Sequence, residues 1–179
     1  MGPDMEIFKE DIVFTKWGEI YTGLKHGLIV TEDVIAFGGN GKIKNCTEDQ
    51  LVRLCLAEDK SIYSFFTIIK QFMNEEGEVE IIKNEDELDE YPWAYIPRQY
   101  NDIWALERLL RVKNSTAVLN KKAEYIYSVF DEVYYYSEMM YSLTQYLVFP
   151  GDEMEESMYL EFLDKLGRIV DDYKKTNSI

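Results

Sequence analysis

The stretch EMEESMYLEFLDKLGRIVDDYKK, residues 153–175, decides the fold class. Tyr159, Phe162, Leu163, Leu166, Ile169, Val170 and Tyr173 recur every three or four positions, which places them on one face of an α-helix. Glu153, Glu155 and Glu156 precede the apolar stripe and Arg168, Lys174 and Lys175 close it, the order a helix dipole favours. The same period extends back along the chain. Pro150-Gly151 ends a helix carrying Met139, Met140, Leu143, Tyr146 and Leu147. Before it, Leu119, Ala123, Ile126, Tyr127 and Phe130 share a side. Ile103, Leu106, Leu109 and Leu110 follow a start allowed by Pro97, and Asn114-Ser115 breaks that helix.

The first half reads in the same way. Thr15 is the expected N-cap of a helix with Trp17, Ile20, Tyr21, Leu24 and Leu28 inward, ended by Gly27. Thr31 is the expected cap of a short helix from Glu32 to Phe37, closed by Gly38-Gly39-Asn40-Gly41. Thr47-Glu48-Asp49-Gln50 is a capping box, in which hydroxyl and amide side chains satisfy each other's backbone N–H groups. Ser61 precedes Ile62, Phe65, Phe66, Ile69, Phe72 and Met73, a stripe ended by Gly77. The pattern predicts an all-α fold of seven or eight helices in an antiparallel or hairpin-array bundle. At most a minor β element is expected, near residues 78–83, with loop over 84–92. Residues 1–179 are expected to form a single helical domain, and the acidic stretch near residue 85 is the one seam.

Charge sets the functional limits. The chain holds 34 acids against 19 bases, a net charge of −15. Such a surface repels phosphate backbones and anionic membranes, so neither nucleic acid nor membrane is an expected partner. Lys121–Lys122 and Lys174–Lys175 are the only adjacent basic pairs. The acidic field instead attracts basic proteins and speeds their association. Solubility alone is the plainer explanation for the charge. Cys46 and Cys55, nine apart, match neither a disulfide framework nor a metal knuckle. No signal run and no apolar stretch of bilayer length appear, so the expected location is cytoplasmic.

Side-chain chemistry is sparse. Gly39-Asn40-Gly41-Lys42 resembles a phosphate loop, but Ala36 replaces its first glycine and Ile43 its magnesium-binding hydroxyl. His26 is the only histidine, so any triad must use it; Lys25-His26-Gly27 also reads as an ordinary helix ending. The acids Glu85, Asp86, Glu87, Asp89 and Glu90 lack the spacing of a calcium loop and read first as a solvated stretch. Tyr134-Tyr135-Tyr136 cannot all face one side of a helix, so at least one is expected outside the core. These three tyrosines and five acids are the candidate protein-binding residues, tyrosine bringing apolar area and a polar tip. No catalytic residue, metal ligand or cofactor site is assigned.

Two segments carry a resemblance. One is Trp17-Gly18-Glu19-Ile20-Tyr21-Thr22-Gly23-Leu24-Lys25-His26-Gly27-Leu28-Ile29 with Glu32-Asp33-Val34-Ile35. The other is Ile126-Tyr127-Ser128-Val129-Phe130-Asp131 with Tyr146-Leu147-Val148-Phe149-Pro150. Together they resemble the bacterial family known as domain of unknown function 2247. The resemblance implies a helical bacterial protein and carries no established catalytic residues. By analogy with other small acidic families, it also suggests an immunity protein for a secreted toxin. The leading expectation is a non-enzymatic acidic protein-binding domain that neutralises a basic toxin. The alternatives are a carboxylate-dependent hydrolase and a structural or regulatory helical module.

Overall fold

The computed structural model describes residues 12–57, 61–78, 97–133 and 136–176, and the regular structure within them is helical. No strand occurs among the described residues; one isolated parallel bridge joins Phe14 and Ile43. The short β element expected over 78–83 lies outside them apart from Glu78, as does the loop expected over 84–92. The chain gathers into an N-terminal unit, Ile12–Tyr100, and a C-terminal unit that takes in Asn101–Ile179.

In the N-terminal unit, α1 (Trp17–Lys25), α2 (Thr31–Gly39), α3 (Glu48–Cys55) and α4 (Ile62–Glu75) follow in order. Every residue of α1 from Trp17 to Leu24 is buried, more than its one-sided apolar stripe predicts. Its main partner is α4: Trp17 lies 4.8 Å from Phe72 and Tyr21 5.1 Å from Phe66, ring centroid to centroid. Burying each such ring contributes about 1.5–3 kcal/mol. Arg53 of α3 lays its guanidinium over the outer side of Phe72, 4.6 Å from the centroid. It also reaches Gln71 at 2.7 Å and Glu75 at 3.2 Å, which ties α3 to α4.

The helix starts follow from their side chains. The Thr47–Gln50 box forms as the sequence predicts, with Gln50 N donating to Thr47 Oγ1 at 3.1 Å and Thr47 N to Gln50 Oε1 at 3.0 Å. Ser61 caps α4 by accepting from Ser64 N. The other two expected caps are displaced. Thr15 does not cap α1; the N-cap is Lys16, because Glu19 folds back to accept the N–H groups of Thr15 and Lys16. Thr31 is the first helical residue of α2 rather than its cap, since Asp33 holds the Val30 N–H at 2.9 Å. In both cases a carboxylate in the first turn outcompetes a hydroxyl, as the dipole favours.

In the C-terminal unit, α5 (Arg98–Asn114) begins within the last residues of the N-terminal unit. The boundary thus falls in its first turn, not in the acidic stretch near residue 85. It is followed by α6 (Leu119–Glu132), α7 (Glu138–Tyr141), a 3-10 turn (Ser142–Tyr146) and α8 (Glu156–Thr176). Residues 139–147 are therefore not one helix. Ser142 and Thr144 bond back to the carbonyls of Met139 and Tyr141, each at 2.6 Å, and these three-residue links tighten the winding. Phe162 of α8 packs against Tyr146 and Tyr159, and Leu143, Met140 and Val133 are buried in the same unit.

Gly18 is fixed by space. A Cβ there would stand 2.7 Å from the Tyr100 ring and 3.2 Å from Glu78 Oε1, whereas one at Gly167 of α8 would meet nothing within 4 Å. Gly18→Ala is expected to destabilise the fold by about 1–3 kcal/mol through overpacking. Gly167→Ala is expected to stabilise it by about 0.5–1 kcal/mol, because alanine loses less backbone freedom in a helix. Urea unfolding of the two variants beside the native chain reads both signs.

Candidate functional site

A carboxylate with a raised pKa is one candidate for acid or base chemistry, and burial is one way to raise it. The described residues include four buried acids: Glu19, Glu78, Asp102 and Glu107. Glu78 accepts the N–H of Trp17 at 3.2 Å on one oxygen and that of Gly18 at 3.1 Å on the other. With Glu19 it satisfies four successive backbone donors at the start of α1. Burial pushes the Glu78 carboxyl upward, its two backbone hydrogen bonds pull it down, and nearby Glu76 adds a further upward push. Burial pushes the Tyr100 hydroxyl above its ordinary range, and the charges of Glu78 and Glu19 push it further the same way. Close approach to Glu78 shifts that titration although the hydroxyl makes no well-formed hydrogen bond.

The other two acids lie on α5. Asp102 Oδ1 accepts the Ser137 N–H at 2.9 Å and so holds the start of α7. Glu107 Oε1 accepts from Arg111 Nη2 at 3.1 Å, one turn along the same helix. At least three of these four carboxylates therefore hold backbone donors. Among the described residues, no group of three or more His, Cys, Asp or Glu is placed to hold a metal ion.

The remaining sequence candidates have structural places. His26 is the C-cap of α1, its N–H donating to Thr22 O at 3.1 Å. Burial and the neighbouring Lys25 charge push its imidazole down to about 4. Gly39-Asn40-Gly41-Lys42 is the end of α2, where Lys42 N donates to Phe37 O and to Asn40 Oδ1, and Lys42 itself is buried. Tyr136 is buried, its ring 5.4 Å from Phe130 and 4.5 Å from Tyr141. Tyr134, Tyr135, Glu85, Asp86, Glu87, Asp89 and Glu90 lie outside the described residues.

Both units are acidic by sequence. Over the sequence, Ile12–Tyr100 carries 16 acids and nine bases, of which the described residues hold eight and seven. Those of the C-terminal unit carry 14 acids and nine bases, and 12 of those acids are exposed against four of those bases. Two of the four, Lys121 and Arg168, already pair with Glu124 at 2.7 Å and Asp164 at 2.6 Å.

An aromatic pair stands within this field. Phe149, 70% exposed, lies 6.3 Å from the half-buried Tyr127 of α6. Val129 rather than Tyr127 fills the core on that helix. Phe149-Pro150-Gly151-Asp152 forms a reverse turn, closed by Asp152 N donating to Phe149 O at 3.0 Å. Proline suits its second position and Gly151, at φ +97°, its third, as a type II turn requires. The Pro-Gly signal was legible; that the turn would present an exposed phenylalanine was not.

No family model matches the chain, and no curated protein or solved structure is significantly similar to it.

His26 yields a pH dependence. Its imidazole is held below its ordinary value of 6.5, so its stabilising contribution is complete above that value and is lost as the pH falls toward 4. Glu78, shifted upward, works in the opposite sense, favouring the fold in acid and losing that contribution as the pH rises. Urea midpoints measured from pH 7.5 to 5 are expected to fall, and the fall is expected to flatten in His26→Gln.

Proposed function

We propose that this chain is a non-enzymatic, acidic protein-binding domain whose partner is a basic protein. In its most concrete form it is a cytoplasmic immunity protein that neutralises a basic toxin such as a nuclease. The observation that carries the reading is the excess of 12 exposed acids over four exposed bases among the described residues of the C-terminal unit, on a chain of net charge −15. A field of that sign raises the encounter rate with cations and repels nucleic acids and anionic membranes. The carboxylate-hydrolase alternative is less well supported, because Glu19, Glu78 and Asp102 accept backbone N–H groups. In the described residues no helix is long and apolar enough to cross a membrane.

The test is capture by the immobilised chain at low and at high salt, with the captured proteins identified by mass spectrometry. Basic proteins are expected at low salt and are expected to be lost or weakened as screening rises. Recovery of no basic partner under either condition overturns the reading. For the toxin form, the purified chain is expected to inhibit the partner's activity at an equimolar ratio.

A further inference from the structure

We propose that the turn Phe149–Asp152, with Tyr127 beside it, is a docking surface for an arginine side chain of a basic protein partner. This inference rests on the protein-binding reading above and gives it a location. The turn is set by its own sequence, with Pro150 and Gly151 in its two central positions and the Asp152 N–H to Phe149 carbonyl bond across it. Buried side chains hold it on either side, Leu143 in the 3-10 turn and Met154 just after it. Phe149 is therefore presented outward on a preset backbone rather than on a loose one, so little ordering remains to be done on binding.

The surroundings select the partner. Asp152 and Glu153 follow the ring directly and are exposed. Glu124 and Asp131 sit three residues before and four after Tyr127 on α6, hence on its side of the helix, and both are exposed. Glu124 is engaged by Lys121 at 2.7 Å, which leaves Asp131, Asp152 and Glu153 as the principal acids. An exposed aromatic ring with acids next to it in sequence and on Tyr127's side of α6 suits a planar guanidinium, which stacks on the ring while its N–H groups reach toward the acids. A second copy of this chain would bring like charge to the same place. A nucleic acid or an anionic lipid surface would bring the sign that these acids repel.

The experiment titrates the full-length chain with an arginine-rich dodecapeptide at 0.15 M salt, alongside the same peptide with lysine for arginine. Backbone and aromatic NMR shifts are expected to concentrate at Tyr127, Phe149 and Asp152. Phe149→Ser is expected to weaken arginine-peptide binding about five-fold. Phe149→Tyr, which keeps the ring, and Asp172→Asn, a surface acid elsewhere on α8, are each expected to change it less than about two-fold. Circular dichroism confirms that the variants are folded, and Asp152→Asn/Glu153→Gln provides a second weakening variant that leaves the ring in place. Equal binding by native chain and Phe149→Ser, or shifts spread evenly over the acids, overturns the location while leaving the protein-binding reading to its own capture test. No arginine preference over the lysine peptide overturns the choice of partner group, and no binding of either peptide overturns the docking surface outright.

Discussion

The N-terminal unit depends on one carboxylate bridging sixty residues of sequence. Glu78, just beyond the end of α4, offers one oxygen to each of the first two N–H groups of α1. A helix start leaves such donors without partners, and this one is buried, where an unmade hydrogen bond costs about 1–3 kcal/mol. Without Glu78, the most enclosed helix of the unit would begin on two unsatisfied donors. The bridge also explains the residues around it. Glycine suits position 18 because the Tyr100 ring and the Glu78 carboxylate occupy the space where a Cβ would stand. Trp17 is then positioned to lie on Phe72, and Phe72 in turn carries the Arg53 guanidinium.

Carboxylates thus have two separate uses in this protein. The buried ones organise backbone: Glu19 and Glu78 at α1, Asp102 at α7. Each gains charge-assisted hydrogen bonds that offset part of the penalty of leaving water. The exposed ones in the C-terminal unit are mostly without a facing base and set the potential that an approaching molecule meets. The first set shapes the fold and the second selects what can come near it.

Most of the fold was legible because helical period and helix punctuation are local signals. The stripe Ile62–Met73, the Thr47–Gln50 box and the long helix through Tyr173 depend on neighbours within a few turns, and they stand where the pattern puts them. Where a cap was displaced, at Thr15 and Thr31, two local signals competed and the first-turn acid won. A glutamate three residues after Lys16 was visible in the sequence as a rival. The Glu78 bridge left no such trace, since nothing in the neighbourhood of residue 78 points to residue 17. The same holds for the burial of Asn101, Asp102 and Glu107 on α5, polar residues enclosed because of what surrounds the helix rather than what it is made of. The site was less legible than the fold. Surface charge can be counted from composition, but which acids stand exposed requires the burial of each acid and base.

The exposed acids of the C-terminal unit carry a thermodynamic consequence. Twelve exposed carboxylates on one unit repel one another, so the native state works against its own Coulomb energy and gathers sodium or potassium around itself. Dissolved electrolyte shields this repulsion over roughly 8 Å at physiological ionic strength. Salt therefore acts on this unit in two opposed ways, tightening the folded chain while loosening its hold on a cationic partner.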